Sequence, residues 1–182
     1  MERYPQRLIS KIKNNIKNFT FSTLYEKNWR YGEQVALFKH YKKQENVVML
    51  GNSITSKVNW NGLLNRNDII NRGIGSDITE GFLARMECIY NSNPKICFIM
   101  GGINDIAMGI KQENTINNIN LITSKLIGKD IEPIIFPILY VAEKHSNHKL
   151  INRKVQSTNI ELQNLCKKKE YRIYWLKWRF VI

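Results

Sequence analysis

Four apolar residues in succession, Val47 to Leu50, stop at Gly51-Asn52-Ser53, and a helix-like stretch resumes around Trp60. A strand with one wet face alternates apolar and polar residues. A short run without alternation reads instead as a strand buried on both faces, as in a parallel sheet covered by helices. The pattern recurs along the chain. Asp68 to Asn71 reads as a short strand, Ile96 to Met100 as another after the breaker Asn93-Pro94, Pro133 to Tyr140 as a fourth and Tyr171 to Leu176 as a fifth. Helical signals fill the gaps. Glu33 to Tyr41 precedes the first strand. Asp77-Ile-Thr-Glu80 offers an N-cap with a carboxylate three residues on, opening a helix that buries Phe82, Leu83, Met86 and Ile89. Ile116, Ile119, Ile122 and Leu126 share one side of a helix that stops at Gly128 as its C′ residue, and Ile151, Val155, Leu162 and Leu165 mark a further one. Strands alternating with helices predict an α/β fold: a doubly wound, mostly parallel sheet of about five strands with helices on both faces.

Length and composition allow one domain with a real core, since 182 residues carry 43% apolar side chains. No stretch approaches the roughly 18 apolar residues of a membrane span, and the longest candidate, Ile134 to Val141, is interrupted by Pro137. The N-terminus spreads Leu8, Ile9, Ile12, Ile16 and Phe19 at helical spacing among lysines and asparagines, unlike the compact apolar block of a secretory signal, so a cytoplasmic location is expected. Cys88, Cys97 and Cys166 are odd in number and share no metal-like spacing, which argues for reduced, partly buried thiols and against a disulfide framework or a zinc site. No metal or cofactor is expected. The net charge of +13 is concentrated at the ends, with +4 in residues 1–20 and +5 in residues 167–182. We therefore divide the chain into a basic N-terminal extension over 1–28, expected to be helical, a domain over 29–170, and an aromatic and basic tail over 171–182. The many asparagines read as a compositional bias.

Three strand ends carry candidate chemistry. In an open α/β sheet the active groups gather beyond the carboxyl ends of the strands, where loops converge. Ser53 lies just past the first strand, with Gly51 allowing a tight turn; such a serine is either a helix cap or a nucleophile. Asn71-Arg-Gly-Ile-Gly-Ser-Asp77 follows the second strand, and its glycines let the backbone approach a ligand. Met100-Gly-Gly-Ile-Asn-Asp105 places the Asn104 amide past the third, where it either makes the turn or donates to a developing oxyanion.

GNSIT (51–55), NRGIGSD (71–77) and GIND (102–105), in that order and each after a strand, resemble the first three motif blocks of the SGNH/GDSL hydrolase superfamily. The resemblance runs from about Trp29 to Cys166 and is closest to the small acylhydrolases of the platelet-activating-factor acetylhydrolase type. It implies a flavodoxin-like three-layer fold and a serine ester hydrolase acting on small acyl esters. By position, Ser53 matches the nucleophile and gives its N–H to the oxyanion hole, and Asn104 matches the asparagine whose amide completes that hole. Gly102 is the third block's glycine. Ser76, with Gly75 beside it, stands where the second block usually has glycine, so a backbone donor survives there if Ser76 can adopt the required dihedrals. Asn52 replaces the commoner aspartate of the first block.

The family's base is a histidine in an Asp-x-x-His block near the C-terminus, and this sequence has no such block: its aspartates are Asp68, Asp77, Asp105 and Asp130. The tail reads as a shortened or frame-shifted end of a family member. His145 and His148, with Glu143, sit in a polar loop after the fourth strand and are the speculative replacements; His40 lies before the first strand, on the wrong side of the sheet. Since losing the histidine of a triad can cost about 10⁶ in turnover, the expected protein is a weak or inactive esterase. Two other readings stand beside it. One is a non-catalytic remnant or binding module that keeps the pocket. The other is a nucleic-acid or anionic-membrane binder acting through the basic ends, where Tyr171, Tyr174, Trp175, Trp178 and Phe180 interleave with Arg172, Lys177 and Arg179. An edge strand that has lost its cover gives the same tail pattern and is preferred, so no specific nucleic acid is expected, weak binding of the termini to anionic surfaces is allowed, and self-association at a bare sheet edge is anticipated. The expected partner is a small-molecule ester.

Overall fold

The computed structural model describes residues 23–173. The helix expected over 1–20 and the tail beyond residue 173 lie outside the described residues. Along the chain run α1 (Trp29–His40), β1 (Val47–Gly51), α2 (Ser53–Ser56), α3 (Trp60–Leu63), β2 (Ile69–Gly73), α4 (Thr79–Ala84), α5 (Glu87–Tyr90), β3 (Ile96–Met100), α6 (Ile103–Ala107), α7 (Gln112–Ile127), β4 (Glu132–Ile135), α8 (His148–Lys169) and β5 (Arg172–Ile173). No helix among the described residues is long and apolar enough to cross a membrane.

The five strands among the described residues form one parallel sheet in the order β2-β1-β3-β4-β5. The chain starts at β1, steps outward to β2, then crosses back over β1 to β3 and continues in that direction. Because parallel crossovers are right-handed, this reversal sends the first connection to one face of the sheet and the later ones to the other. The packing follows that rule. Val48, Leu50, Ile70, Cys97 and Ile99 meet Phe82 of α4, Ile89 of α5, Ile122 and Leu126 of α7, and Leu162 and Cys166 of α8 in the main core. On the opposite face, Val47, Met49 and Ile69 pack with Trp60 of α3 and with Phe98. All five residues of β1 are buried, as its unbroken apolar run requires. In β3 the residues alternate, with Cys97 and Ile99 buried toward the main core and Ile96, Phe98 and Met100 half-buried on the other face. Each fully buried Ile or Leu of the main core contributes about 1.5–3 kcal/mol.

Several boundaries differ from the sequence expectation. The first helix starts four residues earlier, at Trp29, because Asn28 caps it by accepting from the Arg30 N–H. The helix opened near Asp77 is two short ones, α4 and α5, parted at Arg85 and Met86. Asp77 is not its N-cap: Ile78 holds that position without a side-chain cap, and the Asp77 carboxylate is engaged with Arg85. Gly128 ends α7 in a right-handed conformation, and the reversal of φ that sharply ends such a helix falls on Asp130 (φ 57°).

The fourth strand stops at Ile135 instead of reaching Tyr140, and asparagines explain why. The Asn159 side chain accepts from the Ile138 N–H (2.8 Å) and donates to its carbonyl (2.9 Å). Asn152, one helical repeat earlier on α8, does the same for Val141 at 2.9 and 3.0 Å. A carboxamide carries one acceptor and a donor side by side, so it pairs with a single residue's backbone as a neighbouring strand would. Asn61 treats the outer edge of β2 likewise, bonding both backbone groups of Ile69 at 3.1 Å. The asparagines are thus structural side chains that satisfy extended backbone beyond the sheet ladder.

Candidate functional site

At the carboxyl end of β1, Gly51 pairs with Gly73 of β2 on one side and Met100 of β3 on the other. The two residues that follow carry the chain out between the loops after β2 and β3. A Cβ on Gly51 would run into Thr55 Oγ1 and the Met100 carbonyl, and one on Gly73 into the backbone of Ser56, so these glycines let the α2 turn lie across the strand ends. Asn52, 1% exposed, accepts from the Ile54 N–H at 3.1 Å and starts α2 with Ser53 as its first residue. An aspartate would accept that bond equally, so the replacement leaves the local geometry intact.

After β2 the chain turns through Gly73, Ile74, Gly75 and Ser76. The Ile74 N–H donates to the Gly51 carbonyl at 3.0 Å, and the Asn28 amide donates to the Gly75 carbonyl at 2.7 Å, tying the turn to β1 and to the start of α1. Ser76 has φ 60°, a left-handed conformation that costs a non-glycine residue about 1–2 kcal/mol. The dihedral that the usual glycine would adopt freely is therefore adopted by serine.

After β3, Gly102 has φ 108° and stands at the N-cap of α6; a Cβ there would also collide with Ile138. This turn brings the half-buried Asn104 beside the second loop, where its amide nitrogen donates to the Asp77 carbonyl at 2.8 Å. A carboxamide nitrogen has two N–H groups, so one is left to donate elsewhere.

Two buried carboxylates support these loops. Asp77 accepts from Arg85 Nε at 2.9 Å, and the same guanidinium donates to the carbonyls of Arg72 (2.7 Å) and Gly51 (3.1 Å), joining the ends of β1 and β2 to the second loop. Burial pushes the Asp77 carboxyl up to about 6, against the pull of Arg85. Asp105 accepts from the Thr79 N–H, from Thr79 Oγ1 and from Thr115 Oγ1, and so supplies the start of α4 with the acceptor that Asp77 was expected to provide. Burial raises the Asp105 carboxyl, partly offset by the Thr79 hydrogen bonds.

Ser53, Gly75 and Ser76 line one cavity of about 560 Å³, together with Arg30, Gln34 and Lys57. Asn104 does not line it and meets the second loop from the β3 side. His145 lies exposed in the loop between β4 and α8, and His148, half-buried, opens α8. His148 and Glu143 line a different cavity, of about 480 Å³, that shares no lining residue with the first. In the sheet, β4 is two strands from β1, roughly 10 Å. His40 ends α1 and is exposed. Among the described residues, no group of three or more histidine, cysteine, aspartate or glutamate side chains is placed to hold a metal ion.

The sequence reading passed over Arg30, Lys57, Arg72 and Arg85. Arginine and lysine at scattered positions read as solvated side chains. Yet Arg72 and Arg85 are fully buried, and their guanidinium groups lie 4.7 and 6.0 Å from the centroid of the Phe38 ring of α1. No local pattern signals such a pair, because its partners come from α1, β1, β2 and α5.

Comparison with known proteins bears on the fold. No protein-family model matches the chain, and no curated protein matches it in sequence. Solved structures do. A GDSL-like lipase from Bacteroides thetaiotaomicron superposes with a TM-score of 0.64 at 22% identity, over 79% of this chain and 76% of its own. A Bacteroides fragilis protein assigned as an acylhydrolase gives 0.66 at 26% identity, over 79% and 74%. A Streptococcus pneumonia protein assigned as a platelet activating factor gives 0.70 at 19% identity, over 94% and 80%. By its strand order and these neighbours, the chain has the fold that these GDSL-like lipase and acylhydrolase structures share.

Proposed function

We propose that this protein is a serine ester hydrolase of the acylhydrolase kind, acting on small acyl esters with low turnover. The observation that supports this best is the shared cavity of Ser53 and Ser76, with the Asn104 amide bonded to the carbonyl of the adjoining Asp77. In this reading Ser53 Oγ gives its proton to solvent water, attacks the acyl carbonyl and forms a tetrahedral intermediate, and water returns a proton to the alcohol as it leaves. The N–H groups of Ser53 and Ser76 and the free N–H of Asn104 receive the oxyanion. Collapse expels the alcohol and leaves an acyl-serine, which water then cleaves to acid and free Ser53. Backbone donors held by the fold do not have to reorganise as charge develops, which is why such holes supply a large part of catalysis.

The hydroxyl needs a base. His145 and His148 are the histidines beyond the strand ends, and their distance from the Ser53 cavity is the reason for the low turnover. An oxyanion hole and binding without a competent triad retain roughly 10³ to 10⁴ over water. The test is acetate release from p-nitrophenyl acetate by the parent and by Ser53→Ala, both checked for folding by circular dichroism. The expected result is a slow parent rate that falls to the buffer blank in Ser53→Ala. Equal rates in the two would refute hydrolysis through Ser53 and support the second reading, a binding module that keeps the pocket, which the separate cavity of His148 favours.

A further inference from the structure

The cavity beside Ser53 carries two cations and, among the described residues, no carboxylate. We propose that it selects esters bearing a negative charge close to the acyl group, through Arg30 and Lys57. This rests on the reading of Ser53 as the reactive residue and adds the chemical class of what it acts on.

The two cations reach the cavity from different elements. Lys57 closes α2, four residues after Ser53, and its N–H donates to the Ser53 carbonyl at 3.2 Å. Residues four apart on a helical turn share a face, so the lysine stem rises on the same side as the serine. Arg30 comes from the first turn of α1. Its guanidinium lies 4.5 Å from the centroid of the Trp29 ring, and its Cδ stands where a side chain on Gly75 would meet it at 3.7 Å. The Asn28 bond to the Gly75 carbonyl fixes this end of α1 against the loop that carries Ser76.

The two aspartates of the second and third loops are engaged elsewhere and do not neutralise the pair. Asp77 is buried against Arg85, and Asp105 is buried against Thr79 and Thr115. Gln34 supplies a neutral polar wall. A substrate with a carboxylate or a phosphate a few bonds from its ester meets a positive field at the cavity. A cationic substrate is repelled, and a neutral one gains nothing. Both cations are solvent-exposed, so each contact is worth what exposed pairs are worth, roughly a threefold change in affinity per cation and about tenfold for the two together.

Carboxylate and phosphate share this chemistry, and the test separates them. The full chain carrying Ser53→Ala, so that no ester is consumed, is titrated with monomethyl succinate, with its neutral counterpart dimethyl succinate and with 2-acetoxyethyl phosphate, following the backbone amide signals of Gly75 and Ser76. The expected result is saturable shifts with both anions, with dimethyl succinate at least about tenfold weaker and the tighter anion naming the preferred group. Replacing both cations (Arg30→Gln with Lys57→Gln) weakens the anions about tenfold and leaves dimethyl succinate unchanged, and added salt weakens only the anions. The proposal is overturned if dimethyl succinate binds as tightly as the anions, if the double variant keeps their affinity, or if neither anion gives a saturable shift. Each of those outcomes leaves acetate release through Ser53 unaffected, so the two readings fail separately.

Discussion

Asp105 shows how one side chain can be placed for structure and carry a pH signature with it. Its carboxylate is buried and held by neutral donors, the Thr79 N–H and the hydroxyls of Thr79 and Thr115. Burial raises its affinity for a proton above that of the unfolded chain. Between the ordinary carboxylate range near pH 4 and the raised value, the folded state therefore holds more proton than the unfolded state. Stability contributed by this group falls as pH rises through that window, then levels off. Urea unfolding at several pH values on the parent and on Asp105→Asn isolates the effect, because other titrating groups cancel in the difference. The parent should lose stability relative to the variant as pH rises, and a difference that stays flat or grows the other way would contradict the assignment. Ser76 illustrates the converse, a residue whose strained φ of 60° matches the backbone geometry of the loop and has no titration to report it.

The connection from β4 to α8 is held largely by side chains. Its bonds to Ile138 and Val141 come from Asn159 and Asn152, both on α8, so the helix serves as a substitute strand for the segment leaving the sheet. Ile138 is 3% exposed, and it also supplies the contact that forbids a side chain at Gly102. Asn159→Leu leaves the N–H and carbonyl of Ile138 buried without partners, at about 1–3 kcal/mol each. The expected loss is therefore roughly 2–6 kcal/mol in urea unfolding, whereas Asn152→Ala, at a half-buried position that water can reach, should cost clearly less. Equal small losses in both would mean that water replaces either carboxamide without penalty.

Across the whole molecule, the main core runs from β1 outward through both neighbours to α4, α7 and α8. Cys97 sits at its centre on β3, fully buried, and burial pushes its thiol up to about 12. A thiol in that state reacts only when the fold opens. Its modification by a disulfide reagent in rising urea should follow the loss of helical circular dichroism, in a background with Cys88 and Cys166 changed to alanine. Labelling of Cys97 well before that transition would show that the core opens locally.

The alternation of strands and helices, the buried character of β1 and the order of the three loop blocks were legible along the chain, because each depends on residues close in sequence: apolar periodicity, a glycine at a tight turn, an asparagine after it. Ser53 and Asn104 could be singled out for the same reason. The helix boundary at Asp77, the stop of β4 at Ile135 and the roles of Arg85 and Asn159 could not, since their partners stand 8 to 34 residues away. A short-range pattern records which backbone conformation is cheap, so it determined the class of fold and the loops that could carry chemistry. Only folding decided which buried carboxylate meets which guanidinium and which cations share the serine's cavity, because desolvation and hydrogen bonding act between groups that are neighbours in space alone.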